Sequence, residues 1–193
     1  MITWESRIAN YARVTKYPPI YAFGPDGKLY MWWTMGNDYR VKSGFHGGYP
    51  ATYLQRMKAL FPEAKGQTTL HLFSGKVDTD EFPGATVDIN RDLGANYVDD
   101  AQTLKRVPLR AFTHILADPV YSIEDCEHYG TTMVKRNLVM RTLGERLRHG
   151  AYIVWLDQVL PIYRKDQFQV ECEIAVRKST NHRFREVTIF RKR

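Results

Sequence analysis

Four short apolar segments in the middle of the sequence end in residues that can bind a ligand. A glycine lets backbone amides approach an anionic group, and each carboxylate offers two oxygens that accept hydrogen bonds from neighbouring hydroxyls. In open α/β sheets, ligands lie beyond the carboxyl ends of the strands, so this pattern predicts a binding site at one sheet edge. The residues concerned are Ser74 and Gly75, Asp88, Asp99 and Asp100, and Asp118.

The surrounding sequence predicts a mostly parallel sheet. TTLHLF, ATVDI, the tract around Tyr97-Val98, AFTHILADP and AYIVWLD predict five strands, and the alternating FQVECEIAV and FREVTIF predict an antiparallel hairpin at the sheet edge. YAF and LYMWW predict an N-terminal aromatic hairpin around a Pro-Asp-Gly turn. Only eleven residues, 74–84, separate the first two strands, so we expect loops or single turns in the first crossovers. The expected fold class is α/β.

Two helices complete the prediction. The first covers residues 50–61, because Pro50 suits a first helical turn and Pro62 ends the pattern. The second covers residues 131–149 and is followed by Gly150. Its apolar stripe consists of Met133, Leu138, Leu143 and Leu147.

Five motifs occur in a familiar order along the chain: GFHGGYP, HLFSGKV, TVDIN, VDDAQTL and ILADPVYS. The series resembles the class I S-adenosylmethionine-dependent methyltransferases, particularly those that methylate adenine N6 or cytosine N4. The resemblance covers about residues 45–193 and implies a Rossmann-like methyltransferase sheet. It also implies one domain over residues 1–193, with an N-terminal extension at 1–62 and a catalytic core at 63–193.

The resemblance assigns a cofactor site for S-adenosylmethionine. The glycine loop would approach the methionine carboxylate, Asp88 would accept hydrogen bonds from the ribose hydroxyls, and Asp100 would accept one from the adenine amino group. His71 stands where the family has an acidic residue, and Val77 replaces a glycine. Any one of these aspartates also suits the capping of a turn. The implied cofactor-binding residues are Phe73, Ser74, Gly75, Asp88, Ile89, Asp100, Ala101, Gly47 and Gly48.

The segment Asp118-Pro119-Val120-Tyr121 resembles the family's catalytic loop, written Asp/Asn-Pro-Pro-aromatic. The Asp118 carboxylate and the Pro119 carbonyl would both accept hydrogen bonds from one exocyclic amino group, and Tyr121 would stack on the target ring. Val120 replaces the second proline of the pattern without removing an acceptor. The implied catalytic residues are Asp118, Pro119 and Tyr121, and the implied substrate-binding residues are Val120, Tyr121 and Ser122.

Composition narrows the functional classes. The chain has a net charge of +7, but residues 67–118 carry five basic and eight acidic residues. A basic rim around an acidic middle suits a cationic cofactor beside a polyanion, although basic excess also aids solubility. The sequence contains neither an apolar run long enough for a membrane nor a signal-peptide pattern. With only two cysteines and no metal-ligand spacing among its histidines, we expect a cytoplasmic protein without a metal.

The predicted function is transfer of a methyl group from S-adenosylmethionine to an exocyclic amino nitrogen of a nucleobase. Adenine N6 in DNA is the favoured target, and the expected partner is nucleic acid, with RNA as an alternative to DNA. Only residues 1–60 are left for target recognition, so we expect short or relaxed specificity, or specificity supplied by a partner. A glutamine in a protein and a non-catalytic binding module that kept the fold are further alternatives.

Overall fold

The computed structural model describes residues 2–36, 49–129, 131–179 and 183–193. Gly47 and Gly48, two of the predicted cofactor-binding residues, therefore lie outside the described residues. None of the helices in these ranges has the length and apolar character needed to cross a bilayer. The four α-helices are α1 (Trp4–Val14), α2 (Tyr53–Leu60), α3 (Ile123–Tyr129) and α4 (Arg136–Arg146).

Nine strands form a single mixed sheet in the order β1-β2-β8-β9-β7-β6-β3-β4-β5. Strands β3 to β7 are parallel to one another, and the β8–β9 pair is antiparallel. The predicted α/β class and its C-terminal antiparallel hairpin are therefore confirmed. The strands are β1 (Ile20–Phe23), β2 (Leu29–Met35), β3 (Thr69–Leu72), β4 (Ala85–Asp88), β5 (Tyr97–Val98), β6 (His114–Ala117), β7 (Tyr152–Asp157), β8 (Phe168–Lys178) and β9 (Phe184–Lys192).

The predicted edge position of the C-terminal hairpin is wrong. β9 lies against β7, and β8 is covered by β2, which runs parallel to it. The N-terminal hairpin therefore extends the same sheet, and β1 is the edge strand. β2 joins the sheet because its alternate side chains are apolar and buried, while Tyr30 and Trp32 between them are exposed.

Two apolar layers cover the two faces of the sheet. On one face, α1 and α2 pack their buried side chains against β2, β8, β9 and β7. On the other face, α4 packs with the 3₁₀ turn at Leu109–Ala111 against β3, β6 and β7. The short crossovers are confirmed, since turns alone connect β3 to β4 and a single 3₁₀ turn, Arg91–Leu93, connects β4 to β5.

The predicted long helix is shorter than expected. α4 ends at Arg146, and Met133 lies before its first turn with 40% of its surface exposed. Val139 and Met140 supply the buried contacts together with Leu143. The predicted apolar stripe of this helix was wrong at Met133. Residues 131–134 are not helical, so Met133 cannot share a helix face with the later leucines.

A partly buried ion pair joins α1 to the amino-terminal edge of the sheet. Arg7 donates to Glu63 (2.9 Å) and to the Leu60 carbonyl (2.7 Å), and the Glu63 carboxylate lies 3.5 Å from His114 Nε2 at the start of β6. Burial alone would raise the pKa of Glu63, but His114 and Arg7 outweigh it and lower that pKa to about 2.

We expect Glu63→Gln to lower the free energy of unfolding at neutral pH by roughly 2–3 kcal/mol. Because folding lowers the pKa of Glu63 from its ordinary value of 4.5, the ion pair stabilises the protein fully at pH values above about 4.5. This stabilisation is lost as the pH falls towards about 2. Urea unfolding over that range should show the difference between wild type and variant shrinking. Glu145→Gln, at an exposed site on α4, is the control, and a cost for Glu63→Gln that stays constant with pH would contradict this account.

Candidate active site

The residues predicted to bind the ligand come together at the carboxyl edge of the sheet. Val87 pairs with Leu72, and Leu72 pairs with Ala117. The next residue along each chain segment is Asp88, Phe73 and Asp118, respectively. These three residues therefore lie side by side in one row at the carboxyl ends of the strands. The strand order reverses between β3 and β6, and such a switch point is where open α/β sheets bind ligands.

The turn after β3 is held in place by the end of β4. Phe73 and Gly75 both have left-handed backbones, with φ of 56° and 50°, and this conformation is strained for phenylalanine. The Ser74 amide donates to the Val87 carbonyl (3.0 Å), and the Gly75 amide donates to Asp88 Oδ2 (2.9 Å). The glycine turn and the Asp88 carboxylate therefore form one unit rather than two independent loops.

Both Asp88 and Asp100 also cap local turns. The Asn90 amide donates to Asp88 Oδ1 (2.9 Å), and the Gln102 amide donates to Asp100 Oδ1 (2.8 Å). Each carboxylate oxygen has a second lone pair, so the capping bonds orient these side chains without using all their acceptor capacity. Both aspartates therefore cap turns, which was the alternative interpretation of the sequence, and both keep acceptor capacity for a ligand.

A shallow cavity of about 310 Å³ lies beyond β4 and β5. Ile89, Asp99 and Asp100 line it together with the basic Lys105 and Arg106. Ile89 is 60% exposed, and the predicted contact Ala101 is buried at 7%. Apolar Ile89 beside two carboxylates suits a flat heterocycle that carries hydrogen-bond donors, and Ala101 supports the wall from behind.

Asp118 has an ionic partner that the sequence analysis did not identify. Arg185, near the start of β9, donates through Nη2 to Asp118 Oδ1 and to the Leu156 carbonyl (3.0 Å). Its guanidinium carbon lies 4.7 Å from the centre of the Tyr121 ring. The side chain of Arg185 is 8% exposed and that of Asp118 is 18% exposed, so the carboxylate is still accessible from outside.

The alternation of side chains along β9 marks Arg185 as an unusual residue already in the sequence. Side chains in a strand alternate between faces, and Arg185 shares its face with Val187 and Ile189, both fully buried in β9. A charge at an inward position requires a partner, and here that partner is Asp118.

Burial dominates the electrostatics around this pair. It raises the pKa of Asp118, while the Arg185 charge acts in the opposite direction. Two tyrosines from the α2 side, Tyr49 and Tyr53, stack with ring centres 4.8 Å apart. Burial raises the pKa of both hydroxyls well above the ordinary value, so they are neutral hydrogen-bonding groups near neutral pH.

The rest of the predicted catalytic loop follows β6 directly. Pro119 is buried, whereas Val120, Tyr121 and Ser122 are partly exposed. α3 begins just after the loop, and the Cys126 amide donates to the Ser122 carbonyl (3.1 Å). The loop is therefore fixed at both ends, by the last residue of β6 and by the first turn of α3.

Several buried polar atoms in this region have no hydrogen-bond partner among the described residues. Buried polar groups ordinarily have such partners, so these atoms are open to a polar ligand or to water. A polar ligand with several donors and acceptors, such as an amino acid group, fits this set. The atoms are Ser74 Oγ, Tyr49 Oη, Tyr53 Oη and Arg185 Nε.

His71 occupies the position at which the resembled motif has an acid. Its Nε2 lies 3.0 Å from the Phe82 carbonyl oxygen, and burial lowers its pKa to about 4. The ring is therefore neutral near neutral pH and anchors the β3–β4 crossover, so it does not replace the charge of a carboxylate.

The architecture is a Rossmann-like fold of the methyltransferase type. TrmN from Thermus thermophilus has a similar structure, with a TM-score of 0.54 and 15% sequence identity over 75% of this chain and 49% of TrmN. The chain thus spans about half the length of that protein. No protein-family model matches the sequence, and no curated protein matches it either.

Two weaker structural similarities accompany TrmN. One is to the E81Q mutant of MtNAS in complex with S-adenosylmethionine, with a TM-score of 0.46 and 12% identity over 72% of this chain and 60% of that one. The other is to an rRNA methylase from Streptococcus thermophilus, with a TM-score of 0.35 and 10% identity over 66% of this chain and 89% of that one.

We expect Asp88→Ala to weaken S-adenosylmethionine binding by roughly 1.5–3 kcal/mol, because a charged acceptor is lost and the Gly75 amide loses its anchor. Titration calorimetry on the folded variant measures this loss. Asp92→Ala removes an exposed carboxylate from the same loop and should leave the affinity unchanged. Equal affinities for wild type and Asp88→Ala would place the ribose site elsewhere.

Proposed function

We propose that this protein transfers a methyl group from S-adenosylmethionine to an exocyclic amino nitrogen of a nucleobase. The observation that carries the proposal is the row formed by Asp88, Phe73 and Asp118 at the switch point of the sheet. One end of this row suits a ribose and an adenine, and the other end suits an amino group. A donor and an acceptor bound there would meet between β3 and β6.

The cofactor residues are proposed from their place along this edge. Asp88 would accept from the ribose hydroxyls, Ile89 and Asp100 would contact the adenine in the cavity beyond β4, and the glycine turn would face the methionine end. Ser74 Oγ, which is buried without a partner among the described residues, supports a polar group at that end. When bound, this cofactor supplies an electrophilic methyl group on a positively charged sulfur.

The catalytic contribution of the chain is positioning. The Asp118 carboxylate and the Pro119 carbonyl would accept both amino protons, which draws the nitrogen towards tetrahedral geometry and turns its lone pair to the methyl group. The carbon–nitrogen bond would form as the carbon–sulfur bond breaks with its electron pair staying on sulfur, and one amino proton would leave to solvent. Tyr121 would stack on the base after it leaves its helix. The rate then arises from orientation and electrostatics.

A polyanionic substrate fits the charges beside the site. Lys178 is the last residue of β8, and Arg183 and Arg185 lie at the start of its antiparallel partner β9. Burial and the charges of these two arginines lower the pKa of Lys178. Phosphates would relieve this repulsion. Adenine N6 in DNA is the first target that we propose, and RNA is the alternative that the substrate assay below separates from it.

If phosphates bind here, affinity for an oligonucleotide should fall steeply as salt rises, with a log–log slope that tracks the number of phosphates contacted. Lys178→Gln should reduce that slope by about one unit, measured by fluorescence anisotropy. Lys16→Gln, a substitution on the loop after α1, is the control. A binding curve independent of salt would favour a small-molecule or protein substrate.

We expect Asp118→Asn to retain part of the methyl transfer, because the amide oxygen still accepts a hydrogen bond, and Asp118→Ala to lose on the order of 100-fold or more. Transfer of tritiated methyl to DNA, RNA and protein pools measures both the activity and the substrate class. S-adenosylmethionine affinity should change little in either variant.

Asp118→Ala leaves Arg185 without its carboxylate, so thermal unfolding must show that the variant is folded at the assay temperature. Asp166→Ala is the control, since that carboxylate is exposed at 62%. Equal turnover in wild type and both Asp118 variants would refute the mechanism.

A non-catalytic binding module is the second candidate, and the ion pair between Asp118 and Arg185 favours it. A carboxylate that serves only to neutralise a buried arginine has a structural role. This candidate predicts that the wild type binds S-adenosylmethionine and nucleic acid but methylates none of the three pools.

A further inference from the structure

Arg185 contacts two residues of the catalytic loop that the proposed reaction uses, Asp118 and Tyr121. It donates to Asp118 Oδ1 and to the Leu156 carbonyl, and its guanidinium lies over the Tyr121 ring. We propose that Arg185 is a positioning residue for methyl transfer, which holds Asp118 as an ionised acceptor and Tyr121 as the stacking surface for the base. This inference rests on the proposed function.

The geometry divides the two oxygens of Asp118 between two partners. Arg185 bonds to Oδ1, so Oδ2 is the oxygen assigned to the target amino group, together with the Pro119 carbonyl. The bond to the Leu156 carbonyl ties the guanidinium to the end of β7. The orientation of the carboxylate is therefore set by β9 and β7, and not by the catalytic loop alone.

The second contribution of Arg185 is its positive charge, which favours the ionised form of Asp118. An acceptor of a hydrogen bond from the target amino group is stronger as a carboxylate than as a neutral acid, and burial disfavours the carboxylate. The groups that face Asp118 are Arg185 from β9 and Lys178 from β8, which favour ionisation, and Asp157 from β7, which opposes it. Arg136 donates to Asp157 at 2.6 Å and neutralises it.

The tyrosine hydroxyls on the α2 side do not change this balance. Tyr49 and Tyr53 are neutral near neutral pH because burial raises both pKa values. Among the described residues, Arg185 is the cation that contacts the Asp118 carboxylate, and the pair as a whole is neutral. A neutral pair does not repel the positively charged sulfur of the methyl donor, as an unpaired arginine would.

The shape of the guanidinium matters as well as its charge. A planar guanidinium can donate to two oxygens and also lie flat against an aromatic ring, whereas a lysine ammonium is a compact point charge. Contacts of this kind between a cation and the face of a ring are attractive. Arg185→Lys should therefore keep the ionisation of Asp118 but loosen Tyr121.

The test compares kcat and KM across pH for wild type, Arg185→Met and Arg185→Lys in tritiated-methyl transfer. Without the cation, the pKa of Asp118 rises, so the acid limb of the kcat profile should move to higher pH in Arg185→Met. Near neutral pH, the kcat of Arg185→Met should be at least roughly tenfold below that of wild type. This difference should shrink as the pH rises. Arg185→Lys should keep the wild-type acid limb and show mainly a higher KM for nucleic acid.

Arg7→Met is the matched control, because Arg7 belongs to a partly buried ion pair at the opposite edge of the sheet. It should lose stability without any shift of the acid limb. Should Arg185→Met fail to fold, carbon-13 NMR titration of the Asp118 carboxyl in wild type and Arg185→Lys decides the matter. A carboxyl that is ionised near neutral pH in both proteins supports the proposal, and a wild-type carboxyl that is still protonated there overturns it.

The outcomes separate this inference from the proposed function. An active wild type whose pH profile is unchanged in Arg185→Met overturns the role of Arg185 and leaves methyl transfer standing. A wild type that transfers no methyl to any pool removes the proposed function and, with it, the positioning role.

Discussion

The parallel register of five strands is the constraint on which the candidate site depends. Each of β3, β4 and β6 ends in the same row, so three short loops that are far apart in sequence meet at one edge. β3 and β6 are four residues long and buried on both faces, so a shift by one position would move each side chain into the other apolar layer, among different neighbours. The hydrogen bond from Gly75 to Asp88 exists because this register is fixed.

The sequence contained most of the fold. Buried parallel strands are continuous apolar runs, and TLHL, HILA and YIVWLD are of that kind. Positions in the sheet were less predictable, because nothing in LYMWWTM tells a local hairpin from a strand that also pairs with β8. The end of α4 was missed for a similar reason: an apolar residue such as Met133 fits a helical spacing whether or not the backbone is helical.

The site was predictable in its loops but not in its partners. The residues that follow each strand can be read from the sequence, because strand ends and loops are local features. The pairing of Asp118 with Arg185 spans 67 positions and depends on the antiparallel alignment of β9 with β7. The alternation of Arg185 with Val187 did show a charge facing inward, yet it could not name the carboxylate that meets it.

The pairing of β2 with β8 has a consequence for the order in which the chain folds. Lys28 and Glu173 meet across 145 positions of the chain, and the buried residues of β2 include Trp33. During synthesis at about 5–20 residues per second, the hairpin of β1 and β2 would wait roughly 7–30 s for its neighbour. Throughout that interval one edge of β2 would present unpaired backbone groups beside a large apolar side chain, which is the kind of nascent surface that chaperones bind.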